Sequence, residues 1–171
     1  MQEKSKKYST KNATPESGVL SEAAVAYTPQ LSIAFSFLKE SQSTSASDLT
    51  PFEKMHVVRE GVSKKDLEML KTKAKMDYTS LAKALSVTRA TLINKKRGER
   101  FNPGLSEKIV GLADLYSYGF EVFEDEEAFT KWMQKPNKAL GGEIPVDVID
   151  NQFGREEIKN VLGRIAYGVY S

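Results

Sequence analysis

From residue 51 onward, apolar side chains recur at helical intervals; before it no interval persists. "PFEKMHVVREG" sets Phe52, Met55 and Val58 on one helical stripe and stops at Gly61. Ser63 then opens "SKKDLEMLKTKAKM", with Asp66 as its capping-box partner and Leu67 and Leu70 as an apolar face. "YTSLAKAL" predicts a short helix, "SVT" a turn, and "RATLINKKR" a second short helix. Past the loop "GERF", Asn102 and Pro103 make an N-cap and first-turn pair. They lead into a long amphipathic helix, "LSEKIVGLADLYSYGF", whose Leu105, Ile109, Leu112 and Tyr116 share one face. "EDEEAFTKWMQ" predicts another helix, with Glu124, Asp125, Glu126 and Glu127 on its first turn, where the helix dipole favours acids. "KPNKALGGEIP" reads as a loop and "PVDVID" as a short turn begun by Pro145. The last helix, "REEIKNVLGRIAYGVY", carries Ile158, Val161, Leu162, Ile165 and Val169 on one side. With no hairpin pattern and no internal repeat, the expected fold class is all-α.

Residues 1–48 are rich in Ser, Thr, Lys and Ala and predict a flexible N-terminal arm, within which "QLSIAFSFLKE" could form a short helix or strand. The chain has no cysteine, which excludes disulfides and thiolate metal sites, and its one histidine, His56, cannot build a histidine metal site alone. No apolar run reaches the length of a membrane span, and the basic start has no apolar core behind it as a signal peptide would. A cytoplasmic protein with no membrane partner is expected.

Charge divides the chain further. Residues 64–100 hold eleven Lys and Arg against four Asp and Glu, whereas residues 101–171 hold seven against twelve. A basic middle and an acidic end suggest two different partners; the alternative is solvated charged faces.

The basic middle also has the spacing of a helix-turn-helix. Leu81, Ala82 and Leu85 supply the first helix, with the small Ala82 where the second crosses it. Ser86 stands at the turn, where a left-handed backbone favours glycine. Val87 plugs the angle, Thr88 caps the second helix, and Leu92 points back to the core. If this helix enters a major groove, Arg89, Ala90 and Asn94 face base edges, with Thr91 and Ile93 close by. Arg89 suits guanine and Asn94 suits adenine. Lys95, Lys96, Arg97 and Arg100 lie towards the phosphates. The other reading is a helical corner with basic residues for solubility.

From about Met55 to Ser171 the chain resembles the Xre/MbcA/ParS antitoxins, the partners of RES-domain toxins in type II toxin–antitoxin pairs. The resemblance rests on "REGVSKKDLEML" and "LAKALSVTRATLINKKRG", and more specifically on "FNPGLSEKIVGLADL", "AFTKWMQKPNKALGGEIPVDVI" and "FGREEIKNVLGRIAYGVYS". It implies a bifunctional repressor, most simply a homodimer. Residues 49–101 would form a helical DNA-binding region that represses its own operon, and residues 102–171 a toxin-binding domain. The extreme C-terminus would block the active site of a toxin that consumes NAD⁺, so the chain would bind that enzyme and need no cofactor itself. The family often carries two arginines where this chain has Asn94 and Lys95, so no DNA target carries over.

The same residues have plainer readings. Trp132 is a core or an interface anchor. Leu140-Gly141-Gly142 is a loop needing positive φ or close backbone approach. Arg164 either pairs with an acid such as Asp147 or contacts the toxin. The tail Tyr167, Gly168, Val169, Tyr170 and Ser171 is either a frayed helix end or an aromatic, anionic plug. No nucleophile elbow, phosphate loop or zinc motif is present, so no enzyme is expected. The competing function is a stand-alone Xre-type regulator whose C-terminal half dimerises.

Overall fold

Side-chain caps start the helices close to where the apolar pattern places them. The computed structural model describes residues 49–96 and 98–169, so the N-terminal arm with "QLSIAFSFLKE", Arg97, Tyr170 and Ser171 lie outside the described residues. The elements are α1 (Pro51–Glu60), α2 (Lys64–Lys73), α3 (Tyr78–Ala84), α4 (Arg89–Ile93), α5 (Pro103–Phe123), α6 (Glu126–Met133), a 3-10 turn (Lys138–Leu140), α7 (Pro145–Val148) and α8 (Gln152–Ala166). No strand occurs among the described residues, so the fold is all-α, with one isolated antiparallel bridge between Ser63 and Arg100. No helix among them is long and apolar enough to cross a membrane.

Capping boxes begin both α1 and α2: Thr50 with Glu53, and Ser63 with Asp66. Asn102 caps α5, and its side chain accepts from the Leu105 N–H at 2.9 Å. The expected stripe on α1 is turned. Val57 is buried and Val58 half-buried, while Phe52 is 78% and Met55 44% exposed. The reason is that α1 leans on α5 through Lys54 and Val57, and Lys54 reaches Asp114 there. Three other boundaries differ from expectation. α4 stops at Ile93, so Asn94, Lys95 and Lys96 follow the helix. Glu124 ends α5 with a left-handed backbone and Asp125 caps α6, which leaves Glu126 and Glu127 in that first turn. α8 begins at Gln152 and ends at Ala166, so Val169 lies beyond it, 57% exposed.

α5 is the axis of the molecule. It packs against α1 and α8 along its length and against α6 near its end. Its Leu105, Ile109, Leu112 and Tyr116 are all buried, as their spacing predicts. One continuous cluster joins them to Leu67, Leu70, Leu81, Leu85 and Leu92 on one side and to Phe129, Met133, Ile158 and Leu162 on the other. Asn102, the first residue after the boundary expected at 101/102, is the N-cap of α5, and the hydrophobic cluster continues across that point.

Two glycines permit this packing. A Cβ on Gly119 would lie 2.2 Å from Cζ of Phe129, so the aromatic ring occupies a notch in α5. Around it Tyr116, Phe120, Phe123 and Trp132 form edge, tilted and stacked contacts with centroids 5.4 to 6.0 Å from Phe129. Gly61 has φ of +85° and no room for a Cβ, which would sit 2.5 Å from the Phe101 carbonyl oxygen. There the Phe101 N–H donates to the Val62 carbonyl (2.8 Å), and Arg100 donates to the Gly61 carbonyl (2.7 Å). The two ends of the α2–α4 unit are thereby closed together at the base of α5.

Asp114 on α5 accepts from Lys54 of α1 and Lys159 of α8, so one carboxylate ties three helices. Burial pushes its pKa up, but the hydrogen bonds and charges of the two lysines outweigh that and hold it below the ordinary value.

Two outcomes are expected. Alanine is the better helix former than glycine by about 1 kcal/mol, yet displacing Phe129 costs up to about 3 kcal/mol. Gly119→Ala should therefore lose about 2 kcal/mol in urea unfolding. Because the folded pKa of Asp114 is depressed, its contribution is complete above the unfolded pKa and is lost as pH falls through the folded value. Asp114→Asn should flatten the acid limb of the stability profile as pH falls through and below the ordinary carboxylate value of 3.8.

Candidate nucleic-acid and partner interfaces

The corner between α3 and α4 has the geometry its spacing predicts. Ser86 adopts φ of +52°, its N–H donates to the Lys83 carbonyl, and the Val87 N–H donates to the Ala82 carbonyl at 3.0 Å. Val87 is half-buried in the angle, and Ala82 and Leu92 are buried. Thr88 caps α4, its Oγ1 accepting from the Thr91 N–H and lying 2.8 Å from the Thr91 hydroxyl.

α4 turns Arg89, Ala90 and Thr91 to solvent, with Ile93 40% exposed beside them. Asn94 is the exposed C-cap of α4 and follows its last turn. Lys95 is half-buried, its Nζ 3.7 Å from Glu99 and 5.7 Å from the centre of the Phe101 ring. Lys96 is exposed. Across the corner, Asp77 caps α3, and its carboxyl is held below its usual value chiefly by hydrogen bonds from Ser80, with a smaller effect of the Arg89 charge.

The basic middle and the acidic end are not kept wholly apart in the fold. Lys73 pairs with Glu126, Lys75 with Glu127 and Lys83 with Asp147, so part of the basic middle meets the acidic end within one molecule. Lys64 is turned inward onto backbone carbonyls, and the exposed Arg100 donates to the Gly61 carbonyl. The Lys83–Asp147 pair also removes the partner suggested for Arg164, whose guanidinium instead lies 3.6 Å from Glu157. It raises the Lys83 pKa, the hydrogen bond to Asp147 being the main cause.

A second surface lies at the other end, between α6, the loop after it and the last turn of α8. Asn137 organises the loop. Its carbonyl accepts from the Leu140 and Gly142 N–H groups, its N–H donates to Glu143, and its side chain accepts from the Ala139 N–H. Gly141 and Gly142 have φ of +70° and +91°, as the loop reading requires. Trp132 is half-buried against Phe123 and Phe129. With Asn137, Lys138, Arg164, Ile165 and Val169 it lines an open groove of about 220 Å³. The groove brings together Trp132, Arg164 and Val169, and adds Asn137, Lys138 and Ile165, which lie in the segments that carry the family resemblance but were not singled out as contact residues. Tyr167 is 85% exposed beyond it, followed by Gly168 at φ of +67°.

His56 is exposed. Among the described residues, no group of three or more His, Asp or Glu side chains is placed to hold a metal ion.

Comparison with known proteins bears on both surfaces. A model described as the antitoxin Xre-like helix-turn-helix domain matches residues 53–114. A second, described as the antitoxin Xre/MbcA/ParS C-terminal toxin-binding domain, matches residues 119–168. The two spans are separated by residues 115–118 within α5 and together cover about two thirds of the chain. Among curated relatives, the Prs ADP-ribosylating antitoxin of Sphingobium sp. (strain YBL2) is 26% identical over 133 residues, 71% of this chain and 83% of that protein. An Antitoxin Xre of Yersinia enterocolitica serotype O:8 is 23% identical over 116 residues, 67% and 78% of the two chains. Another, of Photorhabdus laumondii, is 26% identical over 73 residues, 42% and 49%. With a helix-turn-helix followed by a toxin-binding domain, the chain belongs to the Xre/MbcA/ParS antitoxin family.

Proposed function

We propose that this antitoxin neutralises a RES-domain, NAD-consuming toxin by gripping it with the groove at Trp132 and Arg164 and inserting its C-terminal tail into the active site. The observation that carries this is the exposure of Val169 on the rim of the groove and of Tyr167 beyond it, where α8 ends and Gly168 turns the chain left-handed. Large apolar side chains left in water at a chain terminus suit a partner that covers them. The sequence after Val169 adds a second aromatic residue, Tyr170, of a kind that suits stacking in a nucleotide pocket. The name of the Sphingobium relative joins the word antitoxin to ADP-ribosylation, a reaction that consumes NAD⁺, so its chemistry agrees with such a partner.

The same protein represses its own operon through the corner of α3 and α4, and binds as a homodimer to paired half-sites. Arg89, Ala90, Thr91 and Asn94 face the bases. Thr88, Lys95 and Lys96 border them on the phosphate side, and the sequence adds the cationic Arg97 next to Lys96. The neighbouring acid Asp77 narrows the field to which phosphate is attracted, so the base-facing residues must carry much of the selectivity.

The first test captures the tagged chain from its host and measures NAD⁺ consumption by the bound protein before and after the chain is stripped away. A partner that becomes active once freed supports the reading; operator DNA alone would leave a stand-alone regulator. With that partner in hand, removing residues 168–171 should raise the concentration for half-inhibition by about tenfold or more, with a smaller change in affinity. Equal inhibition by the shortened chain would exclude the plug. On duplex DNA, Arg89→Ala should cost about 1–3 kcal/mol on the preferred sequence and relax the preference. Lys96→Ala should weaken all duplexes alike and reduce the salt slope by about 1. Identical losses for both variants on specific and random duplexes would overturn the assignment.

A further inference from the structure

α4 is too short to be stable by itself. Five residues cannot repay the cost of nucleating a helix, so its orientation comes from what surrounds it. Thr88 holds its start and Leu92 anchors its middle in the core, but a single apolar anchor leaves the far end free to rock. The far end is where the last carbonyls of a helix lack partners. Here the Lys64 ammonium donates to the Leu92 carbonyl at 2.6 Å and to the Ile93 carbonyl at 2.9 Å. Cations favour this end of a helix, where the carbonyl dipoles converge.

The position of Lys64 strengthens the point. It is the first residue of α2, directly after the Ser63 cap, where the positive end of the α2 dipole disfavours a cation. It is nevertheless 7% exposed, under the face of Tyr78 at 5.3 Å from the ring centre. Lys71 lies 5.2 Å from the same ring, and the Tyr78 hydroxyl is 3.3 Å from Glu68. One buried ammonium therefore joins the first turn of α2, the first residue of α3 and the last turn of α4. A buried cation persists when its donors are satisfied, and two carbonyls with an aromatic face supply that.

We propose that Lys64 is a positioning residue for DNA reading: it fixes the end of α4 and so sets the angle at which Arg89, Ala90, Thr91 and Asn94 meet base edges. This rests on the reading of the α3–α4 corner as DNA-binding. Lys64 lies too deep to neutralise a phosphate, which separates it from Lys96 and gives it a distinct fingerprint. Its loss lowers discrimination between sequences and leaves counterion release unchanged.

The test uses the full chain and a duplex selected from a random pool by the unaltered protein, compared with a scrambled duplex across a salt series. Lys64→Met keeps the length and loses the donors. It should narrow the ratio of specific to scrambled affinity by about tenfold, with the salt slope on the scrambled duplex unchanged. Amide exchange at residues 89–94 should quicken while α5 stays protected. Lys64→Arg, which keeps N–H donors, should restore most of the ratio. If Lys64→Met does not fold, Lys64→Gln, whose uncharged amide keeps a donor but ends one bond shorter, should narrow the ratio by an intermediate amount. An unchanged ratio, parallel losses on both duplexes, or unchanged exchange at residues 89–94 overturns the proposal. If the unaltered protein prefers no duplex, the DNA reading fails and this role with it; quickened exchange would still report that Lys64 holds α4.

Discussion

The seat of Phe129 in the notch at Gly119 sets the geometry of the C-terminal half. α5 must be buried on several sides at once, and a helix can be approached that closely where a side chain is missing. With the ring in the notch, α6 lies down on α5, and Trp132, one turn further along α6, is brought against Phe123. The loop closed by Asn137 then reaches α8 and forms the groove. A displaced Phe129 would carry Trp132 with it. The surface assigned to the partner therefore depends on a core contact that the partner never touches.

Electrostatics follow the same logic of placement before number. The segment from 64 to 100 is strongly basic, yet its cations divide into distinct sets once folded. Lys73, Lys75 and Lys83 meet acids of α6 and α7, in exposed or partly exposed pairs that contribute little stability each. Lys64 and Arg100 serve backbone carbonyls. Arg89 and Lys96 stay on the surface of the corner. A count of charges along a chain measures the field far from the protein; close to it, the arrangement decides which charges a phosphate meets.

Much of this was legible in the sequence, for physical reasons that also explain the misses. Caps at Ser63, Thr88 and Asn102 are local, since each needs a partner two or three residues away, and all three form as read. The stripe of α5 is long enough for its period to be unambiguous. The left-handed Ser86 followed from the spacing of the corner. The face of α1 did not, because Lys54 is drawn inward by Asp114, sixty residues away in the chain, and turns the helix so that Phe52 points out. The end of α4 was misplaced for a similar reason. Nothing in "LINKKR" stops a helix, and what receives its last carbonyls is a lysine on another helix. There was one trace of it: two lysines, Lys64 and Lys65, follow the Ser63 cap, where the dipole makes cations unfavourable. A residue that opposes its local preference has a reason elsewhere in the fold.

The two surfaces also share a skeleton. Ser86 at the helix-turn-helix corner donates to the Asp150 carbonyl at 2.7 Å, and Lys83 of α3 pairs with Asp147 of α7. Asp114 ties α1 to α8 through Lys54 and Lys159. The helix whose end borders the groove is thus linked to α1 through a single carboxylate on α5. Packed helices move as units, so a shift of α8 larger than a hydrogen bond tolerates must either carry α1 along or break the bonds to Asp114. Contiguity of this kind does not amount to coupling, which requires that each ligand favour a different arrangement. It does define where coupling would have to pass: through Asp114 on one side of α5 and through the contact of the corner with α7 and the start of α8 on the other.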